Sequence, residues 1–599
     1  MKQYVMGNGA IALGALAAGV ALVAGYPGTP SSEIIETVAK APHTGVHVEW
    51  SVNEKAALEV AAAASYSGAR ALVTMKQMGL NVASDPLMSL AYIGVKGGLV
   101  VVSADDPGPI SSQTEQDTRR FADFCRIPVL DPSSPEEAFQ MVQDAFEISE
   151  KYATPVLLRP TTRVCHAYAS IDAPDAFTLK PYEGFLRDPS KWVIFPRLSY
   201  ANHGRMEARN VEIGRDFSSS RWNTVEGEPS DRAVVASGVS YAYVKECLRA
   251  HPQVRLIRIG APYPFPEDFM AQALDGVKEV LCFEELSPFL EEKIWQTVGR
   301  RHLSVTVRGK LDGALPHNGE YTTEGCAAAL DRFLGIGPGP GRDDLDDLPP
   351  LPARPPVLCA GCPHRASFYA VKQAMKGRKA FFCGDIGCYT LGNAMPLDMV
   401  DTCLCMGAGI TMAQGLNHTN PDAVCFAFVG DSTFFASGIT GVVNALCNEA
   451  DIILCVLDNS TTAMTGHQPH PGTGRNMMGH VVEKVDIAKV LAGLGVPKIV
   501  TVDPLRLEDS VRAVRECADM KGVRAILFRS PCVALTKPEG KCAVEAGKCV
   551  NCGKCIREIG CPALTRGEGR VVIDRNLCTG CGLCGQVCPA GAIGGETRE

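Results

Sequence analysis

The C-terminal segment of the chain carries one cysteine pattern twice. Each copy places three cysteines at every third position and closes with a Cys-Pro pair; the first runs from Cys549 to Pro562 and the second from Cys578 to Pro589. Four thiolates in such a run are the soft ligands that surround a cubane iron–sulfur cluster. A zinc-binding tail or a disulfide framework is the alternative, but zinc sites usually pair two CxxC units instead of running three cysteines together. The pattern therefore predicts a small domain that moves single electrons.

The repeat also predicts how the ligands are shared. In two-cluster bacterial ferredoxin modules, the fourth cysteine of each run ligates the other cluster. The two predicted [4Fe–4S] ligand sets are Cys549, Cys552, Cys555 and Cys588, and Cys578, Cys581, Cys584 and Cys561. The first run has five residues before Cys561, where the bacterial spacing has three, which lengthens a loop and leaves the ligand count intact. The tail contains no Phe, Trp or Tyr, so the clusters must supply much of its stability.

Length and composition indicate a soluble chain of several domains. At 599 residues it is long enough for about four domains, and its net charge of −8 argues against a nucleic-acid partner. Of its 25 cysteines, nine lie in the tail, and the rest are scattered through apolar segments as expected of reduced thiols. These features predict a cytoplasmic location. The stretch 6–25 loosely imitates a secretory signal, but glycines interrupt it, and neither export nor a membrane span is expected.

Short runs of β-branched residues separated by helix-length segments predict βα units on parallel sheets. The clearest runs are 71–75, 98–103, 154–158, 233–237, 254–259, 279–283, 423–429 and 451–457. The polar segment 191–231 is predicted to be an extended connector. Segment 335–356 combines Pro, Gly and acidic residues, which is typical of a linker. The fold class is therefore predicted to be multi-domain α/β with the small cluster-binding domain at its C-terminus.

Polar residues follow two of these strands. Gly-Asp-Ser comes directly after strand 423–429, and Asp-Asn-Ser-Thr follows strand 451–457. Ligands of open α/β sheets bind at the carboxyl ends of the strands, and Mg²⁺ takes oxygen ligands together with phosphate oxygens. Asp431, the amide of Asn459 and a main-chain carbonyl near Thr461 could supply those oxygens. The alternative is that these are two unrelated turns, since such residues commonly build turns.

The two turns resemble the thiamine-diphosphate fingerprint of GDG followed by NN, with Ser432 in place of the last Gly and Asp458 in place of the first Asn. Segments 6–32, 49–75, 359–368, 384–388 and 430–474 are similar to those of the 2-oxoacid:ferredoxin oxidoreductases. The resemblance covers nearly the whole chain, and the domain order is most similar to the large subunit of the indolepyruvate-type members.

The resemblance implies a division of the chain into six parts. These are a pyrimidine-type thiamine-diphosphate-binding domain (1–190), a connector (191–231), a transketolase C-terminal-like α/β domain (232–335), a linker (336–356), a pyrophosphate-type domain that binds thiamine diphosphate and magnesium (357–535), and a two-cluster ferredoxin-like domain (541–599). In this superfamily, thiamine sites form where pyrimidine-type and pyrophosphate-type domains meet.

The resemblance also implies roles for single residues. Glu54 is the candidate catalytic carboxylate, which hydrogen-bonds the aminopyrimidine ring; Glu49 and Glu59 compete for the role, and a solvated carboxylate at a helix start is the alternative for Glu54. Thr29 in the turn Tyr-Pro-Gly-Thr-Pro is a candidate hydrogen-bond donor to the 2-oxoacid, and capping of a helix is a compatible alternative.

The candidate cofactor-binding residues are Glu54, Cys362, His364, Asp385, Gly387, Cys388, Gly407, Gly430, Asp431, Ser432 and Asn459, and the candidate magnesium ligands are Asp431, Asn459 and Thr461. Zinc binding by Cys359, Cys362 and His364 is an alternative for that segment. His467 and His470 either contact substrate or diphosphate, or order a loop rich in Pro and Gly.

The implied reaction is oxidative decarboxylation of an arylpyruvate with coenzyme A, giving an arylacetyl-CoA and CO2. Two one-electron steps pass through both clusters to an external ferredoxin. The implied cofactors are thiamine diphosphate, Mg²⁺ and two [4Fe–4S] clusters, and the implied partner is a smaller β subunit in an αβ assembly that dimerises. The alternatives are another 2-oxoacid substrate, a non-oxidative thiamine decarboxylase or synthase, and a non-enzymatic electron-transfer adaptor.

Overall fold

The computed structural model describes residues 2–43, 45–337, 349, 351–352, 354–538 and 540–595. The chain divides into two compact units, Met1–Pro349 and Pro350–Glu599. Most of the predicted linker 336–356 lies outside the described residues.

The first unit opens with a parallel α/β domain. Its elements are β1 (Lys2–Met6), α1 (Gly7–Ala17), β2 (Leu22–Gly25), α2 (Ser32–Lys40), β3 (His47–Trp50), α3 (Glu54–Tyr66), β4 (Ala71–Lys76), α4 (Gln77–Val82), α5 (Ser84–Ile93), β5 (Leu99–Ala104), α6 (Thr118–Cys125), β6 (Val129–Leu130), α7 (Pro135–Tyr152), β7 (Val156–Leu158), α8 (Thr162–His166) and β8 (Tyr168–Asp172). Six strands form a parallel sheet in the order β3-β2-β4-β5-β7-β6, while β1 and β8 pair antiparallel. Strand β5 is buried at every position, as its run of valines predicts for a strand covered on both faces.

Helix α1 belongs to the core of this domain. Ten of its eleven residues are buried. A Cβ on Gly14 would lie 2.4 Å from the carbonyl oxygen of Phe139 in α7, so glycine is needed for the close approach of the two helices. The apolar stretch that imitates a secretory signal therefore forms a buried helix and strand β2.

The segment 191–231 differs from its prediction as an extended connector. It begins with the last two residues of α9 (Pro189–Trp192) and consists mainly of α10 (Pro196–Ser218), with β9 (Asn223–Glu226) after it. Its buried residues recur every three or four positions along α10: Asn202, Met206, Asn210, Ile213 and Phe217. That spacing is one face of a helix. The prediction failed because two of the five buried positions are asparagines, which weakens the apolar pattern.

The rest of the first unit is a second α/β domain. Its elements are β10 (Arg232–Ala236), α11 (Gly238–Cys247), β11 (Arg255–Ile259), α12 (Glu267–Ala273), β12 (Glu279–Phe283), α13 (Phe289–Arg301), β13 (Thr306–Arg308) and α14 (Thr323–Leu334). The sheet order is β13-β12-β10-β11-β9, and β9 is an antiparallel edge strand. The buried guanidinium of Arg119 in α6 joins the two domains, because it contacts Asp117 at 2.6 Å and Glu284, just after β12, at 2.9 Å.

The second unit contains a five-stranded parallel sheet in the order β14-β15-β16-β18-β17. Its elements are α15 (Pro363–Ala374), β14 (Ala380–Cys383), α16 (Ala408–Thr419), β15 (Val424–Gly430), α17 (Asp431–Thr433), α18 (Ile439–Cys447), β16 (Ile452–Asp458), α19 (Ile487–Gly493), β17 (Lys498–Val502), α20 (Leu507–Ala518) and β18 (Val523–Arg529). A π-helical segment, Phe434–Gly438, connects α17 to α18. Irregular helix of this kind is often found at functional sites.

The cysteine-rich tail packs within the same unit. Its elements are β19 (Cys542–Val544), α21 (Lys554–Ile559), β20 (Leu564–Arg566), β21 (Val571–Ile573), α22 (Leu583–Val587) and β22 (Ile593–Gly595), with antiparallel pairs β19–β22 and β20–β21. Each short helix begins inside one cysteine run, after a glycine in the left-handed region: Gly553 with φ 65° and Gly582 with φ 75°. In the part of the chain that the structure describes, no helix is both long and apolar enough to cross a membrane.

Candidate active site

Asp431 and Asn459 follow neighbouring strands of the second unit. Strands β15 and β16 run parallel with Gly430 opposite Leu457, so the residues after both strands emerge at the same edge of the sheet. The backbone N–H of Ser460 donates a 2.8 Å hydrogen bond to Oδ2 of Asp431. The two turns are therefore in direct contact, which an unrelated pair of turns would not require.

The carboxylate of Asp431 is buried among polar partners. Its Oδ1 accepts a 2.9 Å hydrogen bond from the backbone N–H of Ser432. Nε2 of His470 lies 3.1 Å from Oδ2, although the two are not aligned as a hydrogen bond. Nδ1 of His470 accepts from the backbone N–H of Gly472 at 3.1 Å, so Nε2 carries the proton that faces Asp431. This histidine therefore presents a ring N–H toward the carboxylate.

Asn459 and Thr461 complete a set of oxygen atoms. Oδ1 of Asn459 accepts from the backbone N–H of Thr461 at 3.4 Å, and its Nδ2 lies 3.4 Å from Nε2 of His364. Burial lowers the pKa of His364 to about 4, so its ring is neutral at pH 7 and adds no competing charge. Carboxylate, amide and main-chain oxygens are the ligands that Mg²⁺ prefers. The donor set fits a hard cation that also binds a diphosphate.

Tyr389 is a residue of this site that sequence reasoning missed. A Cβ on Gly430 would lie 2.4 Å from its ring, and one on Gly387 would lie 2.6 Å from it. The tyrosine hydroxyl donates to the carbonyl oxygen of Ile386 at 2.9 Å and lies 3.1 Å from Oγ1 of Thr433. Both predicted cofactor-binding glycines therefore make room for an aromatic ring. The sequence signal was its position directly after the GDIGC motif.

A hydrogen bond between Asp385 and Gly407 connects two loops beside the ring of Tyr389. The buried carboxyl of Asp385 accepts a 2.7 Å hydrogen bond from the backbone N–H of Gly407 and a 3.3 Å hydrogen bond from the hydroxyl of Tyr389. Burial raises the pKa of Asp385 to about 7. Gly407 has φ 84°, and a Cβ there would meet Oγ of Ser437 at 2.4 Å. The geometry gives both residues a scaffolding role, and their contact with a cofactor stays a prediction.

Four thiols from three segments lie near this site. Burial raises the pKa of Cys362 to about 12. Burial, and then the nearby Cys359 and Cys532, raises the pKa of Cys388 to about 11. Burial also raises the pKa of Cys532, with Cys359 and Asp431 acting in the same direction. In the part of the chain that the structure describes, these thiols do not converge on a single metal-ion position. The sequence predicted Cys362 and Cys388 as cofactor-binding residues and gave zinc binding by Cys359, Cys362 and His364 as an alternative, but it did not single out Cys532, which is isolated in the chain.

Glu54 occupies the first position of α3 in the first unit. The side chain of Asn53 caps the helix by accepting from the backbone N–H of Ala56 at 2.9 Å. Glu54 is only 8% exposed, and a Cβ on Gly79 would lie 2.6 Å from its Oε1. Burial raises its pKa above the ordinary value. Glu54 is therefore a buried carboxyl at a helix start, and the alternative of a solvated one is wrong.

The two competing glutamates have other partners. Glu49 accepts a 2.7 Å hydrogen bond from the hydroxyl of Ser51 and lies 2.8 Å from Nε2 of His47. The half-exposed side chain of Glu59 pairs with Lys55 at 2.8 Å. Neither carboxyl is buried as Glu54 is, which favours Glu54 among the three.

The turn that contains Thr29 precedes α2. The N-cap of that helix is Ser31, so the alternative in which Thr29 caps the helix is wrong. The hydroxyl of Ser111 donates to the carbonyl oxygen of Thr29 at 3.3 Å, and the backbone N–H of Gly28 donates to Oγ of Ser32 at 2.9 Å. A substrate contact of Thr29 stays a prediction.

The two loop histidines have different surroundings. His470 lies beside Asp431, as described above. His467 adopts φ 66°, and its backbone N–H donates to the carbonyl oxygen of Thr462 at 3.0 Å. Its Nε2 lies 3.9 Å from the sulfur of Cys532. These contacts order the loop, and a substrate role for either histidine stays a prediction.

Each predicted set of four tail cysteines lines its own cavity. One cavity is lined by Cys549, Cys552, Cys555 and Cys588, and the other by Cys561, Cys578, Cys581 and Cys584. The four cysteines of each set thus border a common space. Within the described ranges, no three His, Cys, Asp or Glu side chains form a site for one metal ion. A cubane cluster needs such a space. The cavity of the second set is called the inner cavity below, and that of the first set the outer cavity.

Backbone N–H groups point at ligand sulfurs in both cavities. The N–H of Cys542 donates to the sulfur of Cys578 at 3.4 Å, and that of Ala592 donates to the sulfur of Cys588 at 3.3 Å. Hydrogen bonds to the ligand sulfurs tune the potential of a bound iron–sulfur cluster. Cys542 is itself buried and lines the inner cavity as a fifth thiol, which the spacing rules did not single out.

The CxxC segment of the sheet domain packs directly against the inner cavity. Ala360, Gly361, Cys362 and Arg365 contribute to its lining. Gly361 has φ 75°, and a Cβ there would lie only 1.9 Å from Oγ1 of Thr579. The outer cavity is lined by tail residues. The inner cavity is therefore the one next to the segment that leads into the predicted diphosphate-binding domain.

Comparison with known proteins agrees with these sites. Residues 13–190 match the family described as "Pyruvate flavodoxin/ferredoxin oxidoreductase, thiamine diP-bdg", residues 385–527 match "Thiamine pyrophosphate enzyme, C-terminal TPP binding domain", and residues 571–594 match "4Fe-4S binding domain". Together they define a thiamine-diphosphate-dependent 2-oxoacid:ferredoxin oxidoreductase with an iron–sulfur domain.

Three relatives are similar over nearly the full chain, and each is named indolepyruvate oxidoreductase subunit IorA. That of Methanothermobacter thermautotrophicus is 40% identical over 99% of this chain and 97% of its own. That of Pyrococcus horikoshii is 38% identical over 99% and 96%, and that of Archaeoglobus fulgidus is 38% identical over 93% and 91%. The chain belongs to the indolepyruvate oxidoreductase IorA family.

Proposed function

We propose that the chain catalyses the oxidative decarboxylation of arylpyruvates with coenzyme A. The products are an arylacetyl-CoA and CO2, and two electrons pass to an external ferredoxin. Membership of the family supports 2-oxoacid:ferredoxin oxidoreduction, and the names of the relatives support an indolepyruvate-type substrate. The arylacetyl-CoA product, the use of coenzyme A and the ferredoxin acceptor belong to the proposal.

Thiamine diphosphate, when bound, supplies the carbon nucleophile and the electron sink of the reaction. The buried carboxyl of Glu54 is proposed to hold and move the proton at the aminopyrimidine ring, a task suited to a carboxyl whose pKa burial raises. Asp431, Asn459 and Thr461 are proposed to hold Mg²⁺ and the diphosphate. Nε2 of His470 lies 3.1 Å from Oδ2 of Asp431 and helps to orient that carboxylate.

The observation that carries the proposal is the packing of the CxxC segment against the inner cavity. Gly361 contacts Thr579, and Cys362 and Arg365 line the same cavity as Cys578. A ferredoxin module kept only for stability would not need to dock at the entrance of the predicted diphosphate-binding domain. This contact therefore favours the redox enzyme over a non-oxidative decarboxylase and over an adaptor whose domains only bind partners.

We propose two [4Fe–4S] clusters in the tail, one in each four-cysteine cavity. Anaerobic iron analysis should then give about eight iron atoms per chain. A count near four would show that only one of the two cavities holds a cluster and would contradict this proposal.

We further propose that the chain acts with a smaller β subunit in the cytoplasm, as an αβ assembly that dimerises. The relatives are named as subunits, which supports a partner. Neither nucleic acid nor a membrane is part of the proposal.

An anaerobic assay with a one-electron dye tests the proposal. The chain is co-expressed with the β subunit, loaded with thiamine diphosphate and Mg²⁺, and supplied with aryl or short-chain 2-oxoacids. Dye reduction that depends on coenzyme A and is faster with aryl substrates is expected. Release of an aldehyde without coenzyme A and without dye reduction would contradict the proposal and favour the non-oxidative decarboxylase.

A further inference from the structure

Lys76 ends strand β4 at the edge of the first sheet where ligands bind. Strand β4 lies between β2 and β5, so the residues that follow these three parallel strands share that edge. A Cβ on Gly28 would lie 3.3 Å from Cγ of Lys76, which places the lysine side chain against the turn that contains Thr29. Asp106 follows β5 on the other side.

The ammonium of Lys76 lacks a direct partner. Within the parts of the chain that the structure describes, it makes no ion pair and no hydrogen bond, although its side chain is partly buried. Burial lowers its pKa, while the carboxyls of Glu54 and Asp106 act in the opposite direction from a distance. A partly buried cation with no paired carboxylate is costly unless a ligand completes it.

The two carboxyls near Lys76 already contact other groups. Oδ1 of Asp106 accepts from the hydroxyl of Thr162 at 2.7 Å, and its Oδ2 accepts from the backbone N–H of Ser111 at 2.9 Å. Glu54 is buried against Gly79. The carboxyls that face Lys76 thus have neighbours of their own, and neither forms an ion pair with the ammonium.

Other cations near Lys76 are already paired with carboxylates and are not free to bind an anion. Arg159 is buried between Asp105 at 2.7 Å and Asp131 at 3.3 Å. Lys55, next in sequence to Glu54, is half-exposed and pairs with Glu59 and Asp85. Among these three cations of the described chain, Lys76 is the one without an ion pair.

We propose that Lys76 binds the carboxylate of the 2-oxoacid and thereby selects anionic 2-oxo substrates. This inference rests on the proposed function. Every 2-oxoacid carries a carboxylate beside its reacting carbonyl, and Lys76 presents a positive charge between Glu54 and the Thr29 turn. An ammonium is a point charge that does not clamp both oxygens. It orients the carboxylate without hydrogen-bonding both of its oxygens, which would stabilise the ground state of the substrate against loss of CO2.

The test compares Lys76→Gln with Lys76→Arg and with the control Lys55→Gln. The control removes the same charge one residue from Glu54, at an exposed and paired position. In the thiamine-loaded αβ enzyme, Lys76→Gln should raise the KM for indolepyruvate about 10- to 100-fold, the usual range for losing one buried charged hydrogen bond. Lys76→Arg should restore KM to within a few-fold, and Lys55→Gln should leave it unchanged.

A binding measurement without turnover provides the second readout. Calorimetry with 3-(indol-3-yl)propanoate, which lacks the 2-oxo group, should show a weaker affinity for the Lys76→Gln enzyme by a similar factor. The neutral 3-(indol-3-yl)propan-1-ol should bind wild type and variant alike. Iron content and thiamine binding should match wild type, which shows that the variant is folded.

Two results would overturn the inference. One is an unchanged KM and an unchanged affinity for the propanoate. The other is a fall in kcat with unchanged KM and a shifted pH profile, which would mean that Lys76 acts on Glu54. Failure of the proposed function would show differently, because wild type itself would then reduce no dye with any 2-oxoacid.

Discussion

Arg365 donates a 2.7 Å hydrogen bond to the carbonyl oxygen of Ile559, the last residue of α21. The same guanidinium also donates to the carbonyl oxygens of Gly560, at 2.9 Å, and Leu358. A cation at the C-terminal end of a helix satisfies carbonyls that have no partner within the helix. One buried arginine therefore fixes the ferredoxin-like tail to the segment that leads into the predicted diphosphate-binding domain.

Replacing this arginine should loosen the tail. Arg365→Gln removes several hydrogen bonds from a buried charged group, so we expect a loss of stability on the order of 3 kcal/mol. Hydrogen exchange of the tail amides should become faster while β15 and β16 stay protected. Arg378→Gln is the matched control, because Arg378 donates to the carbonyl oxygen of Ala518 at 2.9 Å from a half-exposed position. Equal exchange in both variants would contradict the docking role.

The contact between Gly361 and Thr579 gives a second prediction for the same interface. Gly361→Ala places a Cβ 1.9 Å from Oγ1 of Thr579 and forces alanine to φ 75°. Gly377→Ala is the control, because Gly377 has φ 83° and nothing within 4 Å of a Cβ. The free energy of unfolding of the control should fall by about 1 kcal/mol because of backbone strain. That of Gly361→Ala should fall by about 3 kcal/mol because a steric clash is added. Urea unfolding of the holo chain measures the stability of both variants. Equal losses of stability would show that the interface accommodates the added Cβ without a further cost.

Glu54→Gln should reduce substrate-dependent dye reduction by about 10²- to 10⁴-fold, the usual contribution of a positioned acid–base group. Iron content and the EPR signals of dithionite-reduced clusters should not change, because Glu54 lies in the first unit and the cysteine cavities lie in the second. Glu59→Gln, in the same helix at a half-exposed position, is the control and should keep wild-type turnover. A Glu54→Gln enzyme with normal turnover would refute the catalytic assignment.

The shared ligands of the tail predict paired effects of cysteine variants. Cys588→Ala should perturb the same cluster as Cys549→Ala, because both sulfurs line the outer cavity. Cys561→Ala should instead match Cys578→Ala at the inner cavity. EPR spectra of the reduced variants measure this pairing. Spectra that pair Cys588 with Cys578, its partner within one sequence run, would contradict the arrangement.

A buried carboxyl in the first unit predicts a dependence of stability on pH. Burial raises the pKa of Glu285 to about 7 from an ordinary value of 4.5. The contribution of Glu285 to the free energy of unfolding is therefore complete below about pH 4 and is lost as the pH rises through 7. Glu285→Gln removes this loss. Between pH 4 and pH 8, the free energy of unfolding of the variant should therefore rise relative to that of wild type by on the order of 3 kcal/mol.

Unfolding followed at a series of pH values measures this difference. The control is Glu246→Gln, at a half-exposed position in α11. A constant difference between wild type and Glu285→Gln across the range would show that Glu285 does not take up a proton on folding.

Local patterns in the sequence predicted the features that depend on local chemistry. The valine run of β5 and the apolar run of β16 predicted buried parallel strands, because such runs leave no face for solvent. The spacing of the tail cysteines predicted two four-thiol groups, which the structure brings together in two cavities.

Features that depend on distant contacts could not be predicted. Gly430 was predicted to bind the cofactor, which stays a prediction, and the packing of Tyr389 against it depends on the folded chain. Cys388 and Cys532 are isolated in the sequence, and they become neighbours through the sheet. Whether Lys76 forms an ion pair depends on which carboxyls surround it in the fold, and a single sequence does not contain that information.

Reduction of the clusters by substrate tests the central claim most directly, which is that carbon chemistry and electron transfer occur on one chain. The αβ enzyme, loaded with thiamine diphosphate and Mg²⁺, is mixed anaerobically with indolepyruvate and coenzyme A, without external ferredoxin, and frozen for EPR. We expect signals of reduced [4Fe–4S] clusters in wild type and their absence in Glu54→Gln. Clusters that stay oxidised with substrate, although dithionite reduces them and an aldehyde is released, would contradict the account.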